Sequence, residues 1–157
     1  MSDVVINDRV LRKLMRKLER MGVDGVKVGV LASNATAPVE GAGITMIELA
    51  AIHELGSPRA NIPARSFIRS TFQDATVKRD QAKLTSKLVG KIIKGTMAPH
   101  AALDVLGSWG VSRVRWRIKT KQIKQQLEAS TIARKGSETA LIDTGGLLNS
   151  ITHVVAK

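Results

Sequence analysis

The sequence predicts an α+β fold in which an amphipathic N-terminal helix and two or three longer helices pack on a small antiparallel sheet. Two observations lead to it. Short β-branched, alternating runs stand near the two ends, Val26-Lys27-Val28-Gly29-Val30-Leu31 and Ile151-Thr152-His153-Val154-Val155. Between them, apolar residues recur mostly at helical spacing. The two runs are complementary enough to pair with each other, and 157 residues suit one domain.

The first helix is expected from Asp8, a good N-cap, to about Met21. Val10, Leu11, Leu14, Leu18 and Met21 form its apolar stripe, and Gly22 stops it. After the first strand, residues 32–43 are small and turn-prone and read as a mobile loop. Thr45 and Glu48 make a capping box for a short helix to about Glu54, which Gly56 ends. An irregular stretch leads to Pro63, which suits the first turn of a helix. Periodicity then runs from about Ala64 to Lys94, weakened at Gly90 and ended by Gly95. Another helix follows Pro99, with Leu103, Leu106, Gly110, Val114 and Ile118 on one face. Gly107 and Gly110 are poor residues for an exposed helix and point to a close neighbour. Residues 129–140 read as irregular, and Asp143-Thr144-Gly145 as a cap and turn that launches a Leu147-Leu148 helix.

Composition narrows the chemistry. With two Trp, two Phe and no Tyr, the core is aliphatic, and a stacking platform for single-stranded nucleic acid has too few rings. The absence of cysteine removes disulfides and thiolate metal sites. No run is long enough for a membrane helix and no signal peptide is evident, so synthesis in the cytosol is expected. The net charge of +12 is uneven: residues 1–60 hold eight Lys/Arg against seven Asp/Glu, whereas residues 61–157 hold seventeen against six. Such a field attracts polyanions or acidic protein surfaces.

Side chains with chemical potential do not assemble into a site. His53-Glu54 lacks the second His, four residues on, of a metalloprotease helix, since position 57 is Ser. His100 and His153 stand at no ligand spacing from it. The glycines form neither a phosphate loop nor a dinucleotide fingerprint, and no Gly-x-Ser-x-Gly elbow occurs. The sequence therefore predicts no enzyme, no metal and no cofactor. The basic run Arg113, Arg115, Arg117, Lys119, Lys121 and Lys124 is the strongest physical lead, with Arg113, Arg117, Lys121 and Lys124 on one helical face. It reads either as a phosphate contact or as a face for solvent or an acidic partner. Lys83, Lys87, Lys91 and Lys94 repeat the choice.

Two ordered phrases carry more. Ala50-Ala51-Ile52-His53-Glu54-Leu55-Gly56 leads into Ile62-Pro63-Ala64-Arg65-Ser66-Phe67-Ile68-Arg69. Later, Ser130-Thr131-Ile132-Ala133-Arg134-Lys135-Gly136 leads into Leu141-Ile142-Asp143-Thr144-Gly145-Gly146-Leu147-Leu148-Asn149-Ser150-Ile151. Together they resemble the tail-completion proteins of tailed-phage necks, the virion morphogenesis or minor tail component group, over residues 4–156. Ser66 stands where that group usually has Pro, and Gly146 where a basic residue is common. The resemblance implies a structural virion protein at the head–tail junction, assembled in the host cytoplasm and needed for tail completion and head–tail joining. It further implies a homo-oligomeric ring, such as a hexamer, contacting tail-terminator or head-completion proteins and the DNA that passes the neck, with no membrane. The motif residues His53, Glu54, Gly56, Pro63, Arg65, Phe67, Arg69, Asp143, Thr144 and Gly145 are then interface or scaffold candidates. Arg65 and Arg69, four apart, are expected on one helix face, within reach of His53-Glu54 or of an acidic neighbour in another subunit. The other reading of the chain is a basic nucleic-acid-binding accessory protein of a phage or prophage.

Overall fold

The computed structural model describes Arg12, Arg16 and residues 25–31, 34–120 and 145–156. Arg12 and Arg16 are helical, and Arg16 Nε donates to the Arg12 carbonyl at 3.3 Å. The rest of the expected N-terminal helix and the irregular 129–140 segment lie outside the described residues.

The fold is α+β, with a two-stranded antiparallel sheet. β1 (Gly25–Val30) pairs with β2 (Ile151–Ala156) in the register Val26↔Val155, Val28↔His153 and Val30↔Ile151. Strand alternation puts these three pairs on one face. The sheet is thus closed by the two runs that the sequence marked, from opposite ends of the described chain.

Between the strands come α1 (Met46–Leu55), α2 (Ile68–Gln73), α3 (Ala75–Ile93), α4 (Pro99–Lys119) and α5 (Gly146–Ser150). α1 begins as expected: the Thr45 N–H and Oγ1 both donate to Glu48 Oε2 at 2.7 Å. These bonds hold the Glu48 carboxyl below its ordinary range. The next N–H groups are satisfied by the preceding segment, Met46 to the Ala37 carbonyl and Ile47 to that of Ala35. Residues 32–43, expected as a mobile loop, are therefore anchored from Asn34 onward. Asn34 Nδ2 also donates to the Ser150 carbonyl, and Ala35, Ala37 and Val39 pack on the core.

The single helix expected over 64–94 is two helices. Residues 63–67 are irregular, because the Arg65 N–H is committed to the His53 carbonyl at 2.6 Å and Ile62 pairs with Ser57. Pro63 consequently precedes the helix instead of opening it. A second interruption falls at Asp74, whose backbone is extended (φ −61°, ψ 128°). Its carboxylate accepts from the N–H groups of Thr76 at 2.8 Å and Val77 at 3.2 Å, the geometry of an N-cap. α3 starts there and ends at Ile93, with Gly95 in the left-handed region at φ 72°.

α4 crosses the apolar face of the sheet. A Cβ on Gly107 would stand 2.6 Å from His153 Cγ and 2.9 Å from Val26 Cγ1, and one on Gly110 would stand 3.0 Å from Val28 Cγ2. The close neighbour is the layer of strand side chains. Val111, Val114 and Ile118 join Val30, Met46, Ala50, Phe67, Leu147 and Ile151 in the core. The short 94–98 connection returns α4 antiparallel along α3.

Candidate functional site

The residues singled out by sequence fall into two places. The first is the corner between α1 and α2, built from the phrase at 50–69. Gly56 ends α1 at φ 80°, and a Cβ there would lie 2.8 Å from the Ala64 nitrogen and 3.0 Å from the Ile62 carbonyl oxygen. Only glycine fits that backbone and that space. The chain then turns through Pro58–Ala60 and returns alongside α1.

Glu54 fastens this return. Its Oε1 accepts from Ser66 Oγ at 2.6 Å and from the Arg69 N–H at 3.0 Å, and its Oε2 accepts from the Ile68 N–H at 2.9 Å. The carboxylate of one helix thereby caps the N-terminus of the next, where free N–H groups and the helix dipole favour an anion. Ser66 supplies a hydroxyl to the same carboxylate. Arg69 Nε lies 3.9 Å from Glu54, a loose ion pair on an exposed side chain.

His53 is half-buried beside it. Phe67 is fully buried and anchors the corner to the core. Arg65 is half-buried, its pKa lowered by burial, and its Nε has no hydrogen-bond partner among the described residues. Arg65 and Arg69 do not share a helix face, because Arg65 precedes α2. Pro63 is exposed.

The second place is α4, where the arginines of the basic run turn inward. Arg117 is buried, and its Nη2 donates to Asp74 Oδ2 at 2.8 Å. The Asp74 carboxyl is held below its ordinary range by the Val77 and Thr76 N–H groups, and further by Arg117. Arg113 Nη2 pairs with Asp80 Oδ2 at 2.9 Å, and its guanidinium lies 5.5 Å from the Trp109 ring centroid. Arg115 Nη2 donates to the carbonyls of Asn149 at 3.2 Å and Ile151 at 2.9 Å, tying α4 to the junction of α5 and β2. Lys119 is exposed. Lys121 and Lys124 lie outside the described residues, as do Asp143 and Thr144. Gly145 precedes α5 in the left-handed region at φ 78°, and its carbonyl accepts from Asn149 at 2.9 Å.

Sequence reasoning missed Glu54 as a cap and Asp74 as a helix start. An Asp followed by Thr76 and Val77 at capping distance was the available signal for the latter. It also missed the His153–Asp104 contact, with Nε2 and Oδ1 2.9 Å apart. Among the described residues, no group of three His, Cys, Asp or Glu is placed to hold a metal ion, and no helix is long and apolar enough to cross a membrane.

Comparison with protein-family profiles, with curated proteins and with solved structures finds no match to this chain.

Proposed function

We propose that this chain is a non-enzymatic structural protein of a tailed-phage neck, which completes the tail by assembling with copies of itself and with other neck proteins. The ordered phrases at 50–69 and 130–151 suggest the family. The observation that carries the interface role is on α1. Its inward side fastens the α1–α2 corner through Glu54, while Ile47, Ala51 and Leu55 form an exposed stripe at four-residue spacing. Leu55, part of the first phrase, is 68% exposed, and Ile47 is 48% exposed. Apolar side chains held outward in a row on a rigid corner suit a protein contact. A second copy of the chain is the proposed occupant, in a head-to-tail contact that closes a ring.

Two measurements test this. Light scattering after size exclusion should show a discrete oligomer that Ile47→Asp/Leu55→Asp converts to a monomer whose circular dichroism matches the parent's. Phage made without the protein should accumulate full heads and unjoined tails. Normal infectious particles in its absence would refute the neck role.

A further inference from the structure

We infer that the outer face of α3 is a contact surface for duplex DNA, a role beyond the protein interfaces proposed above. Arg79, Lys83, Lys87, Lys91 and Lys94 follow one another at three- or four-residue spacing and are all exposed. Helical rise places neighbours about 6 Å apart axially, in a row about 22 Å long. The adjoining flank of the helix, which packs inward, carries Val77, Leu84, Leu88 and Ile92, of which Val77 and Leu88 are buried.

Among the described residues, no carboxylate pairs with this row. The one acid within α3, Asp80, is engaged by Arg113, and the capping acid, Asp74, by Arg117. Arg79 Nη2 donates to a neutral group, Thr76 Oγ1, at 3.3 Å. Like charges four residues apart destabilise a helix. Attraction to the C-terminal end of the helix dipole accounts for Lys91 and Lys94, but not for Arg79, Lys83 or Lys87.

The row is also mostly lysine. Lysine is depleted from the centres of protein interfaces, where aromatics and arginine dominate. Flexible point charges suit phosphates, whose contact gains from counterion release and needs no fixed geometry. Too few aromatic rings are present for a single-strand platform, so the duplex is favoured. Binding on this surface is sequence-independent.

The test is fluorescence anisotropy of a labelled random-sequence duplex with the purified full chain. Contact with about four phosphates gives a log–log salt slope near −3.6, a loss of about a hundredfold between about 50 and 200 mM salt. Lys83→Glu/Lys87→Glu/Lys91→Glu should weaken binding at least about tenfold and flatten that slope. The control, Arg16→Glu/Lys27→Glu/Arg59→Glu, makes the same change in net charge at exposed positions elsewhere and should bind nearly as the parent does. Circular dichroism checks that both variants are folded. Equal weakening by the two variants would reduce the surface to bulk charge, and a parent chain that fails to bind at low salt would overturn the inference. If the parent fails but the α3 variant still blocks head–tail joining, the partner of the row is an acidic protein. The binding assay uses no phage particle, so its outcome and that of the neck reading are separable.

Discussion

α3 and α4 are antiparallel neighbours, and both carry cations at four-residue spacing, yet they direct them oppositely. On α4, Arg113 and Arg117 close onto Asp80 and Asp74, and Arg115 onto backbone carbonyls. On α3, Lys83, Lys87 and Lys91 face solvent. Residue type matches the task. A guanidinium offers several fixed donors and tolerates partial burial, whereas an ammonium is strongly hydrated and stays in water. Basic runs of similar density are therefore a structural clasp in one helix and an open surface in the other.

The glycines offer the largest test of this contrast. Gly107→Val on α4 should cost about 3 kcal/mol, since the added side chain must displace His153 and Val26. Denaturant melts measure it, and a neutral result would contradict the close packing of α4 on the sheet. Arg117→Ala should cost about 2 kcal/mol, as a buried side chain and its charged hydrogen bond are both lost. On α3 the sign reverses: Gly90 has open space where its Cβ would be, so Gly90→Ala should stabilise by about 0.5–1 kcal/mol. Lys87→Ala should change stability by no more than about 0.5 kcal/mol.

Titration separates the helices as well. The folded pKa of Asp74 is depressed, so its contribution is fully present above the ordinary carboxylate range and is lost as pH falls through the folded value. Asp74→Asn keeps a capping side chain but not the charge that faces Arg117. Melting temperatures of the variant should therefore fall less steeply below about pH 4 than those of the parent. Identical acid limbs would exclude Asp74 from the clasp.

Much of this was readable from the sequence where the signal is local. Alternating β-branched residues located both strands, Thr45 and Glu48 located the start of α1, and Gly107 and Gly110 announced a close neighbour. The break at Asp74 was hidden because one extended residue leaves the apolar periodicity nearly intact. The arginines show a different limit. Sequence placed Arg113 and Arg117 on one face correctly, but a helical wheel does not record which neighbour that face meets. Glu54 was hidden for the same reason: its partners, Ser66, Ile68 and Arg69, are brought to it by a turn whose path depends on Gly56 and on the Arg65–His53 bond.

Strand pairing has a consequence for synthesis. Val30 meets Ile151, and Gly25 meets Ala156, across more than a hundred intervening residues. During synthesis β1 is made before β2, and their pairing waits until β2 has been translated. The α1–α2 corner, whose contacts span short stretches of chain, closes at a lower entropy cost than the sheet. Because α4 rests on both strands, its final seating against Val26 and His153 also waits for β2, so a nascent chain can hold its helices before α4 is fully seated.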